Sequence, residues 1–517
     1  MRLSIFTVLV FAFGGIALAA EPDPAALAAR IDAHLAKGWQ RAGIEPSSTI
    51  DDATFLRRAS LDLIGRIPTV AETQAFLGES SNALSQAERR AALVDRLIQS
   101  GGHSRHFATV WRRIWVPQTD TPEFARLTSD FENWAAVRLR DNVPYDQLVR
   151  EMLTASRVRA RPNPAQPADV TPIGFQAASL FRAENLAANT TRAFLGLNLD
   201  CAQCHDHPFS RWTRDQFWET AAFFAAPQLS QSGKLTLLEV MIPDTERKLN
   251  PKLLDNEVPK FPDELQDQTG RQVLSQWIVR PDNPYFARNA VNRLWAQIFG
   301  RGLVEPLDDL SEDNPSCNPD LHQELAAAFV QSGYDLKYLT RAFVRTRAYQ
   351  VSTVSHGLAP PEELRLFEKM PVRALTGEQL YDSLVVAAGL PIVRNDLLNS
   401  NQQNRRDQFA AQMHIERAVD AERSIVQSLE LMNGSLTREL TSLEQSAILA
   451  AASDSPFLNQ HEKVEMLFFS ALNRRPTAAE AARLFKGLPD TDKTAEQQGL
   501  ANIFWALLNS SEFNTNH

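Results

Sequence analysis

The chain of 517 residues is long enough for two to four domains of about 100 to 200 residues each, with ample material for buried cores. Its 44% hydrophobic and 22% charged residues exclude a disordered, collagenous or coiled-coil chain. With 53 basic against 62 acidic side chains the net charge is -9, the wrong sign for a nucleic-acid binder, so no nucleic-acid partner is expected.

Met1 and Arg2 give a short basic start, Leu3 to Leu18 is nearly all apolar, and Ala17-Leu18-Ala19 has the small-x-small form read by signal peptidase. Residues 1–19 are therefore expected to be a secretory signal. The apolar run is shorter than the ~20 residues of a spanning helix, and no later segment is long enough. The mature chain is thus expected to be periplasmic or secreted, without a transmembrane anchor. Export places the cysteines in an oxidising compartment.

From residue 25 to 226 the pattern predicts successive amphipathic helices, without alternation long enough for a sheet. Thr69 with Glu72, Ser85 with Glu88 and Thr213 with Gln216 each set a hydroxyl three residues before an acid or amide, the arrangement of a reciprocal helix cap. Residues 157–172 carry four prolines and are expected to form a surface loop. A second break, 227–268, has prolines at 243, 251, 259 and 262 and one β-like stretch, Leu235 to Ile242. Helical periodicity resumes over 269–517, where the polar stretch Asn399 to Gln412 reads as a mobile loop. The expected fold is mainly α: two helical domains, 25–226 and 269–517, joined by a proline-rich connection (227–268) with a small β element.

The chain has three cysteines, too few for a disulfide scaffold, and two of them stand in Cys201-Ala202-Gln203-Cys204-His205. That spacing attaches a c-type haem: two intervening residues let both sulfurs reach the vinyl groups of one porphyrin, and the adjacent His205 lies beneath the iron. Cys201, Cys204 and His205 are the expected haem-binding residues, His205 being the iron ligand. The alternatives are a disulfide or free thiols, a redox dithiol, and a zinc site. Zinc would need Cys201, Cys204 and His205 or His207 to find a fourth ligand such as Cys317. His207 cannot lie opposite His205, because ligands on opposite faces have Cα atoms about 12 Å apart, whereas two residues of extended chain span at most about 7 Å. The second axial position is left to His106, one of several methionines or no protein ligand, with His106 the favoured candidate; its plainer reading is a partly buried histidine on a helix that also holds Trp111 and Trp115. Pro208, Phe209, Trp212, Phe217, Trp218, Phe223 and Phe224 follow the motif, either as a porphyrin wall or as simple core. Hydrolase and phosphate-loop signatures do not occur, and the adjacent acids Asp51-Asp52 and Asp308-Asp309 read as cap or surface residues.

GLNLDCAQCHDHPFSRWTRDQFWETAAFF and FLRRASLDLIGRIPT resemble the first half of a large exported, cytochrome-like family of planctomycete-type bacteria, of unknown function (domain of unknown function 1549). NPYFARNAVNRLWAQIFGRGLVEPLDDL, NPDLHQELAAAFVQSGYDLKYLTRAFVRTRAYQ and ALLNSSEFNTNH resemble the companion domain that follows it (domain of unknown function 1553). The resemblance covers nearly the whole mature chain and implies an exported two-domain protein with the haem-type motif in its first domain. It draws attention to Arg288, Asn292, Arg293 and Trp295, and to Gly300, Arg301 and Gly302, as a domain-specific surface or a packed helix with its glycine stop; the structural reading is preferred. It supplies no catalytic set. The expected function is that of an exported c-type cytochrome-like protein with one covalent haem c, passing electrons to or from an unknown redox partner. Two other readings stand beside it: a non-redox binding module built on a Cys/His metal site, with zinc in place of haem, and a haem enzyme acting on an exported polymer.

Overall fold

The computed structural model describes residues 22–517 except 79–83, 118–124, 157–170, 230–234, 355–364, 393–399, 416–417, 421–422, 486–487 and 489–491. The signal segment and most of the proline-rich loop at 157–172 lie outside the described residues. The fold is mainly α, and among the described residues there are three small two-stranded antiparallel sheets. No helix among the described residues is long and apolar enough to cross a membrane.

Local sequence dictates the helix ends. The three reciprocal caps at Thr69, Ser85 and Thr213 all form, so donors at each helix start are met by side chains rather than left bare. Gly65 ends the helix Asp52–Ile64 in the left-handed region that glycine adopts freely. In the connection, Gln228–Leu229 pairs with Leu235–Leu237 and Val240–Met241 with Lys248–Leu249.

The apolar core does not stop at the proline-rich connection. Trp111 stacks on Trp115 at 5.3 Å, Tyr145 lies 5.1 Å from Trp111, and Phe286, from beyond the connection, stacks on Tyr145 at 5.4 Å. One continuous core runs from Leu27 to Met370 and takes in Ile242, Leu253 and Leu254 of the connection itself. A second core gathers residues from Leu375 to Phe513 and receives Leu61 and Ile67 from near the N-terminus. Proline breaks a helix by lacking a donor, but it does not prevent neighbouring leucines from being buried.

The stretch expected to be a mobile loop, 399–412, is instead the helix Ser400–Gln412. Its Gln, Arg and Ala residues are good helix formers. Buried Arg406 pairs with Asp382 at 3.0 Å, and Phe409 and Met413 enter the second core. Polarity marked its exposed face and hid the three anchors.

The helix Asp52–Ile64 is the hub, with every residue from Phe55 to Ile64 buried. Its buried charged members bond to chain far away in sequence. Arg57 donates to the carbonyls of Ala471 and Phe513, and Arg58 to those of Tyr349 and Val351. Asp62 takes both oxygens to Arg373 Nη2 at 2.9 Å and accepts from Tyr349 Oη and Asn516 Nδ2 at 2.8 Å. Arg373–Ala374 in turn pairs with the terminal strand Thr515–Asn516.

Candidate functional site

The helix Ala183–Thr190 widens into a π-helical turn, Thr191–Leu195, which ends at Gly196 in the left-handed region. A side chain at Gly196 would meet Asn289 Oδ1 and Leu310 at 2.8 Å, so glycine is required there. The chain then runs antiparallel to the loop at 308–310, with Asn198 N donating to the Asp308 carbonyl at 3.0 Å and Leu310 N to the Gly196 carbonyl at 2.9 Å. Asp200–Gln203 forms a single 3₁₀ turn.

This turn presents the cysteines outward. Ala202 is fully buried on its inner side, and Trp218 Nε1 donates to the Gln203 carbonyl at 3.0 Å, which pins the turn to the core. Cys201 and Cys204 are exposed and not joined to each other. His205 is exposed, and its Nδ1 lies 2.7 Å from the Asp206 carbonyl oxygen. Since a carbonyl only accepts, Nδ1 carries the proton and Nε2 of the neutral ring keeps its lone pair, the tautomer a metal-ligating histidine uses. Asp206 is steadied by Arg214 N at 2.8 Å. His207 has a local role: its Nδ1 accepts from Phe209 N and its own N–H donates to the Trp212 carbonyl, closing the next turn.

Two thiols on the outside of one turn beside an imidazole with a free Nε2 fit the demands of covalent haem attachment. The following aromatics do not form a ready wall. Trp212, Phe217, Trp218, Phe223 and Phe224 are core, whereas Phe209 is 86% exposed. Cys317 is half-buried on a separate loop, its N–H bonded to the Leu303 carbonyl, and burial pushes its thiol pKa up. Among the described residues no three His, Cys, Asp or Glu side chains come together in a metal-holding group.

His106 lies elsewhere. It is buried on the helix Gly101–Trp115 and lines a cavity of about 380 Å³ whose wall does not include Cys201, Cys204 or His205. The cavity sits where both halves of the chain meet: Arg113 and Arg192 come from the first, Arg293, Asp308, Glu378 and Arg406 from the second. Glu378 holds Arg113 with both oxygens at 2.7 and 2.8 Å. Burial alone would raise the Glu378 carboxyl, but the charges of Arg113, Arg406 and Arg112 override it and hold its pKa at about 2. Arg293, which the resemblance singled out, faces this cavity, whereas Asn292 is structural, clamping Val304 through both its amide atoms. Arg192 and the asparagines that bond the two arginines, Asn189 to Arg192 and Asn289 to Arg293, belong to no motif of the sequence. Arg192 in the cavity wall approaches Asp200, the residue before the motif, with Nη1 3.9 Å from Oδ2.

Gly65 also borders the cavity, and a Cβ there would fall 2.5 Å from His106 Nδ1. Gly65→Ala must displace the imidazole and strain the left-handed backbone. The expected loss is about 1–3 kcal/mol of unfolding free energy by urea titration; a neutral result would mean that His106 is loosely held.

Two family models match the chain in sequence order. Residues 30–228 match PSCyt2, a protein of unknown function (DUF1549), and residues 270–420 match PSD1, a protein of unknown function (DUF1553). No curated protein and no solved structure matches it. The two models leave residues 1–29, the hairpin-bearing stretch 229–269 and the C-terminal 421–517 unmatched, and the chain carries a DUF1549 domain followed by a DUF1553 domain.

Proposed function

We propose that the protein is an exported c-type cytochrome-like electron carrier with one haem joined to Cys201 and Cys204. The observation that carries this reading is the turn itself: Cys201 stands on the 3₁₀ turn and Cys204 caps its end, both exposed, and the Asp206 carbonyl holds His205 in the tautomer that leaves Nε2 available. When bound, haem supplies one-electron chemistry at a potential set by its ligands and surroundings. The chain supplies the attachment, each S–H adding across one vinyl group so that no external oxidant is consumed. Ala202 and Trp218 pin the turn to the core, and the Asp206 carbonyl, by accepting from Nδ1–H, orients the imidazole. The signal-like segment at 1–19 supports maturation outside the cytoplasm, where this attachment is made.

The test is the full chain produced with its leader alongside the haem-attachment machinery. Haem-stained denaturing gels and a reduced-minus-oxidised spectrum are expected to show covalent haem, lost in Cys201→Ala/Cys204→Ala. His205→Ala is expected to keep covalent colour but alter the spectrum of the iron. A colourless wild-type protein would contradict the reading, and zinc in its place by metal analysis would favour the binding module.

A further inference from the structure

The cavity between the two halves holds four guanidinium groups against three carboxylates. Two of the arginines are neutralised by direct two-point pairs, Arg113 with Glu378 and Arg406 with Asp382. The other two are held differently. Asn189 accepts from Arg192 Nη2 at 3.0 Å while its own amide nitrogen donates to the Trp115 carbonyl. Asn289 accepts from Arg293 Nε at 3.1 Å while its amide nitrogen donates to the Ala193 carbonyl at 2.8 Å. Arg293 Nη2 then donates to the Arg192 carbonyl at 2.9 Å. Neutral amides thus fix the direction of both guanidiniums without cancelling their charge. Asp308 in the cavity wall and Glu305 outside it act on the Arg293 charge without a direct ion pair, and Asp200 meets Arg192 at the outer limit of one. Arg192 stands on a π-helical turn, a rare feature that is frequent at functional sites.

The geometry points to an anion-binding site in this cavity, in which Arg192 and Arg293 receive the carboxylate or phosphate head of a small organic anion. An arginine fork matches either head with two parallel hydrogen bonds. The space is at the small-ligand end of the usual range. Burial pushes the Arg293 pKa down, a strain that a bound anion would relieve. The alternative view, that these arginines only pack the junction, leaves unexplained why amides rather than carboxylates orient them. Neither arginine belongs to the Cys-x-x-Cys-His turn, so the site does not depend on haem.

Titration of the full chain with sodium phosphate and with sodium succinate, at ionic strength matched by sodium chloride, tests this by the rise in melting temperature. A saturable rise is expected with at least one anion; phosphate alone identifies a phosphate head, succinate alone a carboxylate, and both a site open to either. Arg192→Gln is expected to weaken the response at least tenfold, about the weight of one charge-assisted pair. Arg293→Lys keeps the charge and the fold but loses the fork, and is expected to weaken it as well. Cys201→Ala/Cys204→Ala is expected to respond like wild type, so loss of the haem reading leaves this result untouched. No saturable response to either anion, or one unchanged in both arginine variants, overturns the proposal.

Discussion

Asp62→Ala is expected to destabilise the protein by about 3–5 kcal/mol, because it leaves a buried guanidinium without its counter-charge. Asp62 is 1% exposed and serves three partners at once, Arg373, Tyr349 and Asn516. After its removal Arg373 keeps only the Gln297 carbonyl. Tyr349, whose hydroxyl pKa is pushed well above its ordinary value by burial and by Asp62, loses its acceptor. Asp62 sits on an N-terminal helix, Arg373 and Asn516 on the strand pair near the C-terminus, so the variant also loosens the chain ends from the hub. Urea denaturation is the measurement. Replacing the pair together, Asp62→Leu with Arg373→Met, is expected to recover much of the loss, since two matched apolar groups leave no orphaned charge. A change below about 1 kcal/mol in Asp62→Ala would mean the cluster does not hold the two cores together.

The second large effect is acid sensitivity above the carboxylate range. His103 is buried, its Nδ1 donating to the Leu63 carbonyl, and burial, reinforced by Lys337 and Arg341, lowers its pKa to about 3. His322 donates through Nε2 to the Arg288 carbonyl, and burial with the Arg288 charge lowers its pKa to about 4. Both are neutral when folded and titrate near 6.5 when unfolded. From 6.5 down to these folded values the unfolded chain binds more protons, so stability falls as pH falls. Between about pH 6.5 and about pH 5 each histidine is expected to cost roughly 2 kcal/mol. Glu378 does not contribute in that window, because its stabilisation is lost only as pH drops from the ordinary carboxylate range toward about 2. Urea midpoints at about pH 7 and about pH 5 measure the sum, and His322→Asn is expected to remove about half of the slope. A flat profile would show that the two imidazoles are reached by water.

Much of the helical frame is legible in the sequence, because caps and periodicity act locally: Thr69, Ser85 and Thr213 can be read within four residues of chain. The buried charges of the hub helix are not. Arg57, Arg58 and Asp62 have the polarity of an exposed face, and only their distant partners, more than 280 residues away, explain their burial. The same reason hides the cavity, whose wall is assembled from elements between Gly65 and Ala418. The Cys201 motif is the opposite case, five consecutive residues whose spacing carries the chemistry. The sequence also marks Arg293, through resemblance, without giving its role; Asn189 and Asn289 carry no pattern at all. The proline-rich connection is visible, but the leucines that stitch it into the core read like any others.

The proposed electron carrier depends on the pair of sulfurs of Cys201 and Cys204. Mass measurement of the proteolytic peptide that contains both, from mature protein made in a host that attaches haem, addresses it without reliance on colour or activity. The predicted result is one peptide heavier by a single haem, with neither thiol open to alkylation. Recovery of the unmodified peptide with both thiols alkylated would contradict it.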